Sequence, residues 1–571
     1  MASLVSGVAK LNPFKKSTRE DDDEEKGEEV DVGSVAGGGH ASRETTVTKN
    51  QLRISPALKS FLVNQNVLSK EDAIHPEDSS QALKALIDKP HIEVPPEVLD
   101  RSHPLPDYFI SSSHNTYLMA HQLFGTSNAV AYELALSAGA RCIEIDAWDG
   151  EDANEPKVTH GYTLVSNIPF RQVCETIRDV VDKEAQEDNA SGYRAAPILI
   201  SLENHCSAKG QLRMVEIMTE VFGDRLLSKR VRDKGTSEQE GAGGHVRLEE
   251  LGSKICVIVE YHLPNEKEDD DTSSSEDEDA KEYKKQKKEA ASGIIPELAE
   301  LGVYAQSVKP GDNSWFEAES LTNGPHDPLI NLSESGLVQH MPKETAKIGR
   351  NNAHHLMRVY PKGTRISSAN LKPVPFWNIG AQICALNWQT FGASMQINEA
   401  LFSGSDGFVL KPAALRAGGN GQVSTGRTKK LHLQIAGASN VPVPNGRKPE
   451  EIKPYISCTL VHPDDLEGNP PKRKTKAYKH HKISGLLHGD STPVTDPLWD
   501  ETLEWEFADN ELTFLRILLK SDDSFARNPI FAVAAMRLSY VARGWRFIRM
   551  LDLKGRETTC SLLVKFHIDE L

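Results

Sequence analysis

Residues 141–150 read RCIEIDAWDG, and residues 197–207 read PILISLENHCS. Each is a short apolar run, rich in isoleucine, that ends in acidic or amide side chains. Around them lie stretches with apolar residues spaced by three and four: VAYELALSAG before the first, FRQVCETIRDVVDKE between the two, and QLRMVEIMTEVFG after the second. Strand followed by helix, repeated, predicts a parallel sheet with covering helices. The same rhythm continues outward through DYFISSSHN, SKICVIVEY, GVYAQSV, HLMRVYP and CALNWQT. Roughly eight such units in about 280 residues fit a (β/α)8 TIM-type barrel, with a doubly wound open sheet as the alternative. No GxGxxG or GxxxxGK[ST] follows the first strand, which disfavours a nucleotide-binding open sheet.

The 571 residues carry 82 Asp and Glu against 66 Lys and Arg, a formal charge of −16. Such an acidic chain is poorly suited to nucleic acid. Seven scattered cysteines, without a CxxC pair, suit buried thiols in a reducing compartment rather than a disulfide scaffold. No apolar run approaches the roughly 20 residues that cross a bilayer, so any membrane contact is expected to be peripheral. Composition divides the chain. Residues 1–45 hold an acidic run and a glycine cluster and read as disordered. Residues 46–102 read as a short helical region, 103–263 and 293–416 as the two parts of the barrel, and 264–292 as a charged insertion. Residues 428–571 alternate short β-type runs with turns, which predicts a separate all-β sandwich.

Functional side chains of a barrel gather at the C-terminal ends of its strands. Here those ends are polar. The first run ends in SSSHNTY, with His114 and Asn115, and the second offers Glu144 and Asp146 on one face by period two. KVTHGYT, read as a third strand, offers His160; PILISLENHCS, read as the fourth, ends in Glu203, Asn204 and His205. Taken singly, a histidine or glutamate at a strand end is more often structural than catalytic. Three carboxylates and an amide oxygen converging at one mouth are hard ligands that match Ca²⁺ or Mg²⁺ better than zinc. Without a cation, such buried carboxylates could not all stay ionised.

The runs HPLPDYFISSSHNTYL, RCIEIDAWDG, HGYTL and ILISLENHCS, with RVYPKGTRISSANLKPVPFWNIGAQICALNWQT and GFVLKP after the insertion, resemble eukaryotic phosphoinositide-specific phospholipase C. The resemblance is to a short, delta-like form without a pleckstrin homology domain, its barrel split into X and Y halves and followed by a C2 domain. Residues 46–102 would keep at most an EF-hand remnant. The resemblance implies calcium-dependent hydrolysis of phosphatidylinositol phosphates to diacylglycerol and soluble inositol phosphates through a cyclic phosphodiester, in intracellular lipid signalling. It implies Asn115, Glu144, Asp146 and Glu203 as Ca²⁺ ligands, with Glu144 also the general base. His114 would donate to the phosphoryl oxygen and His160 to the departing glycerol oxygen. Ser333, Arg358 and Tyr360 would line the inositol pocket. The implied partners are phosphoinositide lipids and an anionic membrane, for a monomeric chain. A catalytically inactive inositide-binding scaffold on the same fold is the alternative, and such relatives lose the residues that this chain keeps.

One departure stands out. Family members that prefer polyphosphorylated inositides carry lysines in a run like KILLKGKKL, where this chain reads KICVIVEYHL, placing Ile258 and Glu260 where cations are expected. In the sandwich, Asp522 and Asp523 could contribute to a calcium loop, but Lys453 precedes Pro454 where an aspartate is usual. The basic stretch from Lys472 to Lys482 offers a membrane handle, at about 1 kcal/mol per cation near an anionic surface. The insertion EKEDDDTSSSEDEDAKEYKKQKKEAAS, Glu266 to Ser292, is acidic at its start and would be repelled by such a surface. Deleting residues 266–290 is therefore expected to raise activity on anionic vesicles more than on short soluble substrates, and equal effects in the two assays would contradict a holding-off role.

Overall fold

The computed structural model describes residues 30, 52–74, 80–118, 128–151, 155–159, 167–191, 195–232, 245–264, 293–317, 321, 323–362, 369–444, 446–466, 470–479, 492–522 and 530–571. The N-terminal acidic run, the 266–292 insertion, His160 and Asp523 lie outside these residues. Eight parallel strands form the barrel: β1 (Tyr108–Ile110), β2 (Cys142–Trp148), β3 (Ile198–His205), β4 (Ile255–Glu260), β5 (Gln306–Val308), β6 (Pro328–Ser333), β7 (Leu356–Tyr360) and β8 (Ile383–Cys384). Each pairs with its chain neighbours, and β8 pairs back onto β1. A parallel bridge between Ser112 and Cys142 joins β1 to β2 and closes the ring.

Two readings of the sequence need correction. The described start of KVTHGYT is not a barrel strand: Lys157–Val158 pairs antiparallel with the end of β2 and with Ile168–Pro169, so β3, which carries Glu203, is the third parallel strand and not the fourth. The polar tips of β1, β2 and β3 are thus consecutive around the ring without it. PLINLS, not recognised as a strand, is β6. Its inward residues Leu329, Asn331 and Ser333 turn polar toward the mouth, which leaves little apolar signal in the sequence.

Alternation along the strands builds two cores. Outward residues such as Phe109, Ile143, Ile145, Ile200, Val257, Ile330 and Val359 join the helices in one apolar cluster. Inward residues Ile110, Cys142, Leu199, Ile258, Leu329, Leu356 and Ile383 fill the lower barrel. One or two steps along, the inward positions become Glu144, Ser201, Glu260, Asn331 and Arg358. The floor is therefore dry and the mouth polar, the condition for an electrostatic site above a packed support.

The sandwich stacks two four-stranded antiparallel layers. One holds Pro454–Val461, Lys472–Lys474, Phe514–Ser521 and Ile530–Arg537, the other Thr428–Ser439, Leu498–Ala508, Gly544–Leu551 and Glu557–Glu570. A single residue pair, Val533 with Leu551, links their edges. The lead-in helices Pro56–Asn64 and Gln81–Asp88 start on the serine caps Ser55 and Ser80. They bury Leu58, Phe61, Leu62, Leu83 and Leu86 against Trp545, Phe547 and Leu563 of the sandwich. Arg53 adds a bidentate pair to Asp496 at 2.6 and 2.7 Å. Barrel and sandwich meet through Arg516, whose Nε donates to Gln396 Oε1 at 2.7 Å, and through Trp377 against Phe514. All seven cysteines are free thiols.

Beneath the barrel His245 is only 8% exposed, beside Tyr304, and its Nδ1 has no hydrogen-bond partner. Burial lowers its pKa to about 4, with Asp327 opposing and His355 and Arg230 adding to the shift. The unfolded chain therefore binds a proton that the folded chain does not between about pH 6.5 and 4, so stability falls as pH falls through that window. The full effect is at most about 3 kcal/mol. A His245→Asn variant is expected to lose less stability than the parent between pH 7 and pH 4 in denaturant titrations, and identical slopes would show that this ring is not responsible.

Candidate active site

At the mouth, Asp146 on β2 lies directly opposite Glu203 on β3, and Glu144 sits one inward step below. Glu144, Asp146 and Glu203 each offer one oxygen within 4.8 Å of the others. Glu144 and Asp146 are buried at 4% and 6% exposure, while Glu203 is half-buried. Burial, followed by the charges of Glu203 and Glu144, drives the Asp146 pKa well above the usual carboxylate range. Asp146 Oδ1 is buried without a hydrogen-bond partner. A buried oxygen without a partner on one of three clustered acids is what an oxygen-ligated divalent cation satisfies, so the residues fit such an ion.

Asn115 joins them from the end of β1. Its backbone is left-handed, φ +46°, a region asparagine tolerates better than most residues. Its N–H donates to Glu144 Oε2 at 2.8 Å. The other Glu144 oxygen, Oε1, accepts from Arg358 Nη2 at 2.6 Å, and both side chains are 5% exposed. Arg358 Nη1 also reaches Asn331 Oδ1 at 3.3 Å, and its guanidinium lies 5.6 Å from the Tyr360 ring centre. Arg358 thus balances the acids as well as facing the mouth, a role the sequence reading did not give it.

His114 Nδ1 is 2.9 Å from Asn387 Oδ1, and its Nε2 is 4.0 Å from Glu144 Oε2. Asn387 Nδ2 points to Ala369 O at 3.4 Å, which leaves the amide oxygen to accept from Nδ1–H and Nε2 to face the acids. Burial lowers the His114 pKa, partly opposed by Glu144. Ser333 pairs across from Tyr360, and its Oγ accepts the Gly336 N–H at 3.2 Å, capping the next helix. Its hydroxyl proton remains available to a ligand. The structure therefore gathers His114, Asn115, Glu144, Asp146, Glu203, Ser333, Arg358 and Tyr360 at one mouth.

Tyr117 and Asn387 escaped the sequence reading, and the contacts of His205 and Glu260 were not visible in it. Tyr117 donates to Asp146 Oδ2 at 2.6 Å and lies 3.2 Å from Asn115 Oδ1. Asn387 orients His114 from the tip of β8, in a run already read as a strand; asking what that strand ends with would have found it. His205 Nε2 lies 3.1 Å from Glu203 Oε1 and its ring stacks on Trp148 at 4.0 Å. Glu260 accepts the Asn204 N–H at 3.1 Å, and burial together with Glu203 raises its pKa, with His205 and Lys309 opposing. Ile258 is 1% exposed in the barrel floor.

Residues 101–261 match the X domain and residues 298–414 the Y domain of phosphatidylinositol-specific phospholipase C. The chain belongs to this family, and it carries both halves of the family's split barrel. It is 34% identical over 472 residues to the mouse 1-phosphatidylinositol 4,5-bisphosphate phosphodiesterase delta-3, covering 80% of this chain and 55% of that protein. It is 31% identical over 490 residues to the rat delta-1 form, covering 82% of this chain and 61% of the relative. The chain thus spans little more than half the length of these relatives. The crystal structure of L. pealei PLC21 superposes with a TM-score of 0.66 at 23% identity, over 89% of this chain and 62% of that one, and shows the same fold.

The crowding of like charges yields a direct expectation. Asp146→Asn should raise the unfolding free energy in divalent-free buffer by about 1 kcal/mol or more. It should also remove any stabilisation by added calcium. An apo variant less stable than the parent would mean that the acids do not repel.

Proposed function

We propose that this chain is a phosphoinositide phospholipase C that cleaves phosphatidylinositol phosphates into diacylglycerol and soluble inositol phosphates. The observation that supports this reading most is the convergence of Glu144, Asp146 and Glu203, with Asp146 Oδ1 bare, beside His114 and Arg358 in a barrel that belongs to this family. Asn115, Glu144, Asp146 and Glu203 would hold Ca²⁺, which when bound supplies Lewis-acid activation of the inositol 2-hydroxyl. Glu144 takes the proton of that hydroxyl. In the structure both its oxygens are engaged, by Arg358 and by the Asn115 N–H. Arg358 must therefore loosen its hold, and an arriving phosphate is the group that competes for a guanidinium.

His114, whose Nδ1–H is held by Asn387, acts in its protonated form, which an arriving phosphate favours, and donates from Nε2 to the phosphoryl oxygen as charge builds there. His160 protonates the departing glycerol oxygen and then acts as base when water opens the cyclic phosphodiester, a role carried over from the family motif. Ser333 and Arg358 bind headgroup phosphate oxygens and Tyr360 stacks on the ring. Among the described residues, no helix is long and apolar enough to cross a membrane. We place the chain at the cytoplasmic face as a reversibly bound monomer that acts in lipid signalling. The exposed edge strand Lys472–Lys474 supports docking on anionic lipid, with Lys474 and Lys520 flanking the Tyr455 ring at 5.8 and 5.9 Å. In the sandwich loop the Asp522 N–H bonds to the Lys453 carbonyl, so a lysine stands beside this acid where an aspartate is usual, which disfavours calcium there.

Calcium-dependent release of inositol phosphates from labelled vesicles tests the assignment. His114→Ala is expected to lower the rate by roughly 10² to 10⁴. A parent chain that binds headgroup but releases nothing would instead be the inactive scaffold. The carboxylate of Glu260, where relatives place cations, would repel a ring phosphate by about 1 kcal/mol at 4 Å in water and more near protein. The chain is therefore expected to prefer bisphosphorylated lipid less than the family norm, and Glu260→Lys to raise the rate on that lipid relative to phosphatidylinositol. A strong bisphosphate preference in the parent would contradict this.

A further inference from the structure

We infer that Tyr117 is a positioning residue for the cation at the barrel mouth, its hydroxyl fixing the Asp146 carboxylate so that one oxygen is presented to the ion. The inference rests on reading this mouth as a cation site. Tyr117 is completely buried in the main apolar cluster, so its ring is held by packing and its hydroxyl has a fixed place. That hydroxyl is 2.6 Å from Asp146 Oδ2 and 3.2 Å from Asn115 Oδ1, touching two of the four proposed ligands from different strand tips. A phenol has one proton, and the shorter contact, to a carboxylate, takes it.

The consequence is an asymmetric carboxylate. Asp146 Oδ2 is occupied by Tyr117, whereas Oδ1 has no partner and belongs to the residue that shares the 4.8 Å cluster with Glu144 and Glu203. Turning the Asp146 carboxylate out of its present plane would leave the phenol unsatisfied in a dry core, so the bond fixes the orientation of the carboxylate. On the neighbouring ligand Asn115, the left-handed backbone and the bond to Glu144 supply a comparable lock. Hydrogen bonds that orient ligating carboxylates in this way typically govern metal affinity by 10- to 100-fold.

Tyr117→Phe deletes one oxygen and keeps the ring. Tyr132→Phe is the control, because Tyr132 is equally buried and its hydroxyl also makes a bond at 2.9 Å, but to the Glu144 backbone carbonyl and not to a ligand side chain. Calcium binding to the whole chain is measured by titration calorimetry, with thermal unfolding in chelator alongside. The expected result is a Kd at least tenfold higher for Tyr117→Phe, a Kd within twofold of the parent for Tyr132→Phe, and a calcium half-saturation of activity shifted by the same factor as the Kd. A Tyr117→Phe chain that is less stable but binds calcium like the parent would overturn the inference while leaving the site intact. A parent chain that binds no calcium would overturn both.

Discussion

Mutual repulsion among Glu144, Asp146 and Glu203 is the constraint around which the mouth of the barrel is arranged. Three acids with oxygens within 4.8 Å, two of them buried, are unfavourable unless positive charge or protons offset them. The chain offers partial relief through Arg358 on Glu144, His205 on Glu203 and Tyr117 on Asp146. None of these reaches Asp146 Oδ1. The fold thus stabilises the cluster enough to assemble it and leaves one oxygen that a cation could satisfy, a local cost of the kind that functional sites carry.

The support for this arrangement is the dry lower barrel. Cys142, Leu199, Ile258, Leu329 and Leu356 pack inward below the polar layer, so the strand tips above them are fixed by packing and register. The same inward step that carries Leu356 to Arg358 on β7 carries Cys142 to Glu144 on β2, which brings the two into contact across a span of 214 residues. Splitting the barrel sequence with a long insertion does not disturb this geometry, because the closing pairs are made by strands on either side of it.

Much of this was legible in the sequence, and the exceptions have physical causes. Period-two patterning within RCIEIDAWDG put Glu144 and Asp146 on one face, since side-chain direction in a strand is set locally, and the polar end of PILISLENHCS offered Glu203. KVTHGYT misled because two extended residues look alike whether they pair in a parallel barrel or an antiparallel flap; only partners distant in sequence decide. β6 was missed because a strand whose inner face is polar at the mouth has no clean alternation. The Arg358–Glu144 pair and the orienting roles of Tyr117, Asn387 and His205 depend on tertiary distances, to which spacing is blind. Sequence could name the acids but not what holds each of their oxygens.

The most direct test of the central claim is a crystal structure of the whole chain with saturating calcium. The account predicts one calcium at the mouth, bonded to Asp146 Oδ1 and to oxygens of Asn115, Glu144 and Glu203 at about 2.3–2.6 Å, with Tyr117 still on Oδ2. Density for calcium elsewhere only, or a mouth without the ion and with Arg358 still paired to Glu144, would contradict it.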